Sequence, residues 1–157
     1  MTILKAIPDS QLRPMLESDL AQVVAIEAQT FSDPWPEFSF RQCLSHGFYC
    51  RVLEQKGLIQ AYAIMAIQAD TGHILNLCVH PEHRQKNLGR TMLARLLQEA
   101  RRVPADAVFL EVRSSNQAAL QLYRSMNFFQ LGVRKDYYPT TQGREDALIL
   151  AWKPKLK

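Results

Sequence analysis

A single carboxylate interrupts an apolar stretch of this chain in a way that could serve chemistry. Glu111 lies in the run Ala107–Val112, whose other residues are apolar and which predicts a buried strand. A buried carboxylate is costly unless it is paired, hydrated at a cleft or protonated. Glu111 could therefore act as a general base at a cleft, or it could simply pair with Arg113 or another arginine. The residue pattern alone leaves both interpretations open.

Two more polar side chains belong to the helix that is predicted next. Tyr123 lies on the apolar face of that helix, where a packed tyrosine is the ordinary interpretation. The alternative is a general acid, because a phenol keeps its proton at neutral pH and can still protonate a departing thiolate. Asn116 stands in the first turn of the helix, where asparagine usually caps the backbone, although its amide could also reach a ligand.

A basic turn joins a predicted strand to a predicted helix. The strand covers residues 73–79 and the helix covers residues 88–102. The first N–H groups of a helix have no partner inside it, and the helix dipole favours negative charge there. Arg84, Lys86 and Arg90 add positive charge to this turn. The turn therefore suits an anion such as a phosphate, although an ordinary connection with hydrated basic side chains fits equally well.

The histidines and cysteines predict simpler roles. His80 and His83 are three residues apart with a proline between them, which argues against a helical metal pair, and no carboxylate or cysteine completes a ligand set. The sequence therefore predicts no metal site. The cysteines lie among apolar neighbours and form no Cys-x-x-Cys pair, so they are expected to be buried thiols. They are Cys43, Cys50 and Cys78.

Two aromatic groups stand in predicted loops. Trp35 lies between two prolines and is presented rigidly, either as a core anchor or as a contact to substrate. Residues 137–139, Tyr-Tyr-Pro, form an aromatic cluster in a polar segment. These side chains could contact substrate or could cover the end of a sheet.

The elements that would position these residues alternate between strands and helices. Periodicity and turn residues predict the order β-α-α-β-β-β-α-β-α-β-β. This mixing favours an α+β or α/β fold, with one mixed sheet of six to seven strands and helices on both faces. The first strand contains a proline and is expected at a sheet edge. Strands are predicted over residues 11–16, 48–55, 58–68, 73–79, 107–112, from 128 and over 147–152, and helices after Ser18, from Pro36, from Leu88 and after a capping box of Ser114 with Gln117.

The bulk composition narrows the class of protein. The chain has 157 residues, 47% of them hydrophobic, and a formal net charge of +4. That length suits one domain over residues 1–157. No apolar run reaches membrane-spanning length, and the first ten residues lack the long apolar core of a signal peptide, so a cytoplasmic protein without membrane contact is expected. The positive charge suits a polyanionic partner, either a phosphorylated cofactor or nucleic acid.

Several segments together resemble a known family. The turn Arg84–Gly89 is similar to the acetyl-CoA pyrophosphate loop of the GNAT acetyltransferase superfamily, whose pattern is Gln/Arg-x-x-Gly-x-Gly/Ala, and residues 110–129 resemble its strand–helix–strand segment. Residues 136–150, with Pro34 and Trp35, resemble the RimI branch, which acetylates the N-terminal alanine of a small-subunit ribosomal protein. The resemblance covers nearly the whole chain. It implies a GNAT fold in a single N-acetyltransferase domain.

One position of the turn departs from the family pattern. Asn87 stands where the family prefers its first glycine. Asparagine tolerates a positive φ better than other non-glycine residues do. The shape of the turn is therefore expected to survive the difference.

The resemblance also implies roles for individual residues. Glu111 matches the general base that removes a proton from the acceptor ammonium, and Tyr123 matches the general acid that protonates the CoA thiolate. Asn116 matches a contact to the co-substrate acetyl-CoA, and no covalent intermediate is implied. The remaining matches are a strand whose backbone pairs with the pantetheine arm, Leu77, Cys78 and Val79, and a turn that cradles the pyrophosphate, Gln85, Lys86, Asn87, Leu88, Gly89 and Arg90.

The predicted function is acetyl transfer from acetyl-CoA to the N-terminal alanine of a small-subunit ribosomal protein. One alternative is a different acceptor amine, on a protein lysine or a small molecule. Another is a basic nucleic-acid-binding module, but the basic residues are dispersed apart from the turn, so no direct contact with nucleic acid is expected. A basic ribosomal protein would need acids to dock on, and the candidates are Glu27, Asp33, Glu37, Glu145 and Asp146.

Overall fold

The structure is a computed structural model that describes residues 10–154. These residues cluster into two compact units. The first unit takes in the described chain up to Ala66 together with Leu75–Leu96. The second unit takes in Ile67–Ile74 and the described chain from Leu97 onward. The expectation of one domain over residues 1–157 stays a prediction.

Seven strands form one mixed sheet. They are β1 (Ser10–Pro14), β2 (Tyr49–Gln55), β3 (Leu58–Gln68), β4 (Thr71–Val79), β5 (Ala107–Arg113), β6 (Phe129–Thr140) and β7 (Gly143–Trp152). Their order in the sheet is β1-β2-β3-β4-β5-β7-β6. β4 and β5 are parallel, whereas β1 with β2, β2 with β3, β5 with β7 and β6 with β7 are antiparallel. The predicted mixed sheet, the order of elements and the edge position of the first strand are confirmed.

Four α-helices lie between the strands: α1 (Leu20–Thr30), α2 (Glu37–Ser45), α3 (Leu88–Arg102) and α4 (Gln117–Ser125). The helix predicted over residues 88–102 has its predicted bounds. The first helix begins after Ser18 as predicted, but the prediction that Ser18 caps it is wrong, because Ser18 lies within a 3-10 turn over Glu17–Asp19 and the cap position of α1 is Asp19. In that turn the Asp19 carboxylate accepts a hydrogen bond from the N–H of Leu16 at 2.7 Å and so caps the turn.

The start of α4 also differs from the prediction. The capping box of Ser114 with Gln117 is wrong, since the cap is Asn116. Its side-chain oxygen accepts the N–H of Ala119 at 3.1 Å, which satisfies one of the donors that a helix start leaves open. Asparagine and serine are similarly good helix caps. When both occur close together in sequence, the local backbone conformation decides which of them caps the helix.

The first unit has an aromatic and aliphatic core. Phe40 of α2 and Tyr62 of β3 are fully shielded from solvent, and their rings meet edge to face with centroids 5.9 Å apart. Both helices α1 and α2 contribute to this core because each buries one apolar stripe. The predicted burial of the three thiols is confirmed for Cys43, Cys50 and Cys78, all of which are free and lie in this cluster.

The second unit contains a sheet irregularity that places two side chains of the candidate site. β6 pairs with β7 in register at Arg134, and again at Tyr138, but the register shifts between them. Residues 135–137 of β6 therefore lie opposite the single residue 146 of β7. Asp136 adopts a φ of 50° there, and its N–H donates to the Asp146 carboxylate at 3.0 Å. This bulge re-aims the strand locally, as bulges near active sites do.

Candidate active site

Glu111 is held by two basic side chains of the second unit. Its side chain on β5 is only 17% exposed, and its Oε1 atom lies 2.8 Å from Nε2 of His73. Its Oε2 atom lies 3.6 Å from Nε of Arg134. The sequence offered Arg113 as a possible partner, but that guanidinium donates to Glu145 at 3.0 Å instead. Glu111 is thus a shielded carboxylate with partners on two other strands.

His73 is the residue of this site that the sequence analysis missed. It lies on β4, where parallel pairing sets it opposite Phe109 of β5, two residues before Glu111. Its side chain is 45% exposed, so the imidazole reaches solvent while the carboxylate it touches is largely shielded. A lone histidine in a strand carries no signal of its own. Only the parallel register of β4 with β5 would have indicated the contact.

Tyr138 belongs to the same group of side chains. Burial, followed by the negative charge of Glu111, raises the pKa of the Tyr138 phenol to about 12. The guanidinium of Arg113 stacks over its ring, 4.6 Å from the centroid, and partly opposes that rise. Both roles of the Tyr-Tyr-Pro cluster, contact with substrate and cover for the end of the sheet, stay predictions.

Tyr123 lies on the buried face of α4, as its spacing predicted. Only 8% of the residue is exposed, and its ring packs against Phe128 with centroids 5.5 Å apart. Burial, with a smaller contribution from Tyr138, raises the pKa of the Tyr123 phenol well above its ordinary value. The phenol therefore stays protonated throughout the neutral range, which a proton donor requires.

The basic turn of the first unit has the backbone shape of an anion cradle. Gln85 and Asn87 have φ values of 64° and 62°, while Lys86 between them has no positive φ. Alternation of this kind turns successive N–H groups toward one point, which makes a nest for an anion. Asn87 adopts the positive φ that was expected of it, and its equivalence to the family turn stays a prediction. Its carbonyl accepts the N–H of Thr91 at 3.0 Å, so the turn leads directly into α3.

The strand before the turn alternates as a half-buried strand should. Cys78 is 3% exposed, while Leu77 and Val79 on the opposite face are partly exposed. Burial raises the pKa of the Cys78 thiol, so the thiolate that a nucleophile needs is disfavoured. The side chain of Cys78 is therefore a packing group, and the backbone of this strand is what a ligand could pair with.

A buried carboxylate of the first unit corrects one expectation. Glu27 on α1 was predicted to be an acid available for docking, but it is only 2% exposed. Its Oε1 accepts from the Tyr62 hydroxyl at 2.7 Å and from the Asn76 amide at 3.0 Å, and its Oε2 accepts from the N–H of Trp35 at 3.0 Å. Glu27 therefore ties the loop after α1 to the core and cannot contact a partner.

The other docking candidates are also engaged to different degrees. Glu37 pairs with Arg41 at 2.7 Å on the surface. The hydroxyl of Ser115, followed by the guanidinium of Arg113 and by the Ser115 N–H at 3.2 Å, lowers the pKa of the Glu145 carboxyl. Because these acids already pair with basic side chains of the same chain, their attraction for a basic partner is reduced.

Residues 10–154 contain neither a group of metal ligands nor a membrane-spanning helix. No three His, Cys, Asp or Glu side chains in this range are grouped so that they could hold a metal ion. No helix in the same range is long and apolar enough to cross a membrane.

Comparison with known proteins identifies the family. The sequence profile of the acetyltransferase (GNAT) family matches residues 18–128. The ribosomal protein bS18-alanine N-acetyltransferase of Escherichia coli (strain K12) is 37% identical over 134 residues, which are 85% of this chain and 90% of that protein. The putative enzyme of the same name from Bacillus subtilis (strain 168) is 35% identical over 141 residues, 88% of this chain and 92% of that protein.

A solved structure agrees with these relatives. The crystal structure of the ribosomal-protein-S18-alanine N-acetyltransferase from Escherichia coli superimposes with a TM-score of 0.88 at 33% identity, over 94% of this chain and 96% of that chain. The GNAT fold that the sequence predicted is therefore confirmed. By sequence profile, identity and structure alike, the chain belongs to the GNAT acetyltransferase family.

Proposed function

We propose that this protein transfers an acetyl group from acetyl-CoA to the N-terminal alanine of ribosomal protein bS18. One observation carries the choice of acceptor: the chain is more than one-third identical, over most of both lengths, to a relative that bears this reaction in its name. The geometry supports the chemistry, because a shielded carboxylate, Glu111, and a protonated buried phenol, Tyr123, occur in the same unit. Contact with a membrane or with nucleic acid is not part of the proposal, and the proposed location is the cytoplasm.

The proposed proton transfers involve two residues. Glu111 takes a proton from the acceptor ammonium, through a water molecule, so that the neutral amine can attack the thioester carbon directly. As the carbon–sulfur bond breaks, Tyr123 gives its proton to the departing sulfur. The amine then loses a second proton to solvent, and Tyr123 recovers its proton from solvent. No acyl group passes through the protein, in keeping with the burial of Cys78.

The co-substrate would be held by backbone groups. The nest formed around Gln85, Lys86 and Asn87, continued by the first N–H groups of α3 at Leu88, Gly89 and Arg90, suits the pyrophosphate. The backbone of Leu77, Cys78 and Val79 suits the amide groups of the pantetheine arm. Asn116 remains a proposed contact, although its side-chain oxygen already caps α4.

The phenol of Tyr123 should matter for thiol release and not for binding. Tyr123→Phe removes the proton donor but keeps the ring in its buried position, so kcat should fall by about 10²-fold while the Kd for acetyl-CoA stays unchanged. Steady-state kinetics and titration calorimetry measure the two quantities. Tyr49→Phe removes a phenol from β2 in the first unit, should keep the wild-type kcat, and is the matched control. Wild-type turnover in Tyr123→Phe would remove this residue from the mechanism.

The asparagine in the turn gives a second prediction. Asn87→Gly should leave the Kd for acetyl-CoA equal or lower, because glycine adopts the observed φ of 62° without strain and removes a side chain near the phosphates. Asn87→Val should raise the Kd, since a β-branched residue disfavours this conformation by about 1–2 kcal/mol. Calorimetry on both variants checks the pair. A large loss of affinity in Asn87→Gly would instead assign the asparagine side chain itself to the phosphate.

Mass spectrometry of acetylated peptides tests the proposed acceptor. The purified protein is incubated with acetyl-CoA and a peptide that copies the N-terminus of bS18, beginning at alanine. A second peptide has the same sequence with its α-amine already blocked. Acetylation of the free α-amine, with no reaction on the blocked peptide, is the expected result. Acetylation on lysine alone, or equal reaction of both peptides, would replace this proposal with an enzyme acting on another amine.

A further inference from the structure

We propose that His73 is a positioning residue for catalysis, which holds the carboxylate of Glu111 in place by a hydrogen bond. The proposal rests on the role of Glu111 in the proposed function. His73 lies outside the motifs that carry the resemblance to the family. The fold brings its side chain to the site.

The first step of the argument is the contact itself. Nε2 of His73 and Oε1 of Glu111 are 2.8 Å apart, the length of a charge-assisted hydrogen bond. An ionised carboxylate can only accept, so Nε2 carries the hydrogen, in the neutral as well as in the charged imidazole. His73 therefore donates to Oε1. The other oxygen, Oε2, is 3.6 Å from Nε of Arg134, which is beyond hydrogen-bond length, and is the one suited to take a proton.

The second step is the difference in exposure. The Glu111 side chain is 17% exposed and the His73 side chain is 45% exposed. A shielded carboxylate with a fixed orientation is a better-placed base than a mobile one, and a hydrogen bond from a rigid strand fixes it. His73 is on β4, Glu111 on β5, and parallel pairing of these two strands at Thr71–His73 sets the distance between them.

The third step concerns the other basic partner of Glu111. Nε of Arg134 is 3.6 Å from Oε2, which is longer than a hydrogen bond, and the Arg134 side chain is 52% exposed. The donor that fixes the orientation of the carboxylate is therefore His73. Loss of this donor should lower kcat and leave the KM values unchanged.

Two substitutions at this position separate positioning from mere structure. His73→Gln keeps an N–H donor at nearly the same place. Its kcat should stay within about 3-fold of wild type, because the carboxylate of Glu111 keeps its hydrogen bond. His73→Val keeps a strand-favouring residue without a donor. Its kcat should fall by about 10-fold at every pH, with unchanged KM values for peptide and acetyl-CoA.

The controls make the outcome decisive. His46→Gln changes an exposed histidine of the first unit and should leave kcat as in wild type. In a Glu111→Gln background, His73→Val should lower kcat no further, because the two side chains act as a unit. A wild-type kcat in His73→Val would overturn the proposal. Equal losses of kcat in both His73 variants, with lower melting temperatures, would show a structural role and would overturn it as well.

The failure of this proposal is distinguishable from that of the proposed function. If Glu111→Gln is as active as wild type, the assignment of the base fails and His73 has no base to position. If the wild-type protein modifies only lysine, the acceptor is wrong, but the kcat values of the His73 variants on that amine still test the positioning role. When Glu111 is functional, a wild-type kcat in His73→Val, or equal losses in both His73 variants, counts against His73 alone.

Discussion

Glu111→Gln is expected to lower kcat by roughly 10³-fold at pH 7, within the range that general base catalysis contributes. Glutamine has nearly the same size and still accepts a hydrogen bond from His73, so the fold around β5 should be retained. What is lost is the ability to take a proton from the acceptor ammonium. The deficit should therefore appear in kcat, while the Kd for acetyl-CoA stays unchanged.

The pH dependence of this variant gives the sharper result. An α-amine has an ordinary pKa near 7.7–8.0, so the fraction of neutral acceptor rises as the pH is raised from 7 to 9. The activity of Glu111→Gln should rise with it, and the gap to wild type should narrow. Glu99→Gln changes a carboxylate on α3 that pairs with Arg102 and should keep the wild-type profile. An unchanged pH profile in Glu111→Gln would argue against a base at this position.

The local elements could be predicted because short-range signals agree with the fold. The apolar run over residues 58–68 became β3 with the predicted bounds, and α3 likewise. Lys56 and Gly57 have φ values of 54° and 81°, which are the values that a tight hairpin turn needs, and Asn127 after α4 has a φ of 74°. At these positions the residue type and the required backbone conformation are directly linked, so no information from distant parts of the chain was needed.

The contacts of the candidate site depend on the pairing and register of strands, which residue types and local spacing do not indicate. His73 meets Glu111 only because β4 and β5 pair in parallel at one particular register. Arg134 of β6 lies near the other oxygen, Oε2. The pairing of β6 with β7 shifts register just after Arg134, and no turn residue in the sequence indicates this irregularity. Residue types and motif spacing therefore located the candidate base, Glu111, but not the side chains that hold it.

Glu27 shows the same limit for a buried charge. Its helical spacing from Leu20 and Val23 places it on the buried stripe of α1, but a glutamate is normally exposed, so the residue type indicated the opposite. Its burial depends on three donors that come from β3, from β4 and from the loop after α1. A carboxylate whose two oxygens accept three hydrogen bonds is compensated for the loss of water, so it can remain in the core.

The loss of this carboxylate should have the largest effect on stability of any single change considered. Glu27→Ala removes the acceptor of the Tyr62 hydroxyl, the Asn76 amide and the Trp35 N–H, all of which remain in a shielded part of the first unit. Each orphaned buried donor costs about 1–3 kcal/mol, so the free energy of unfolding should fall by roughly 3–5 kcal/mol. Urea denaturation followed by circular dichroism measures this loss.

Two matched variants show whether the hydrogen bonds are the cause. Glu27→Gln keeps one accepting oxygen but presents an amide donor to one of the three N–H or O–H groups, so its loss should be intermediate, about 1–2 kcal/mol. Glu17→Ala removes an exposed carboxylate that pairs with Arg41 at 3.0 Å, and it should change stability by less than about 0.5 kcal/mol. Equal losses in Glu27→Ala and Glu17→Ala would mean that the buried carboxylate adds nothing beyond a surface charge. If the free energy of unfolding instead increases from Glu27→Ala to Glu27→Gln to wild type, Glu27 anchors the loop that carries Trp35 to the core.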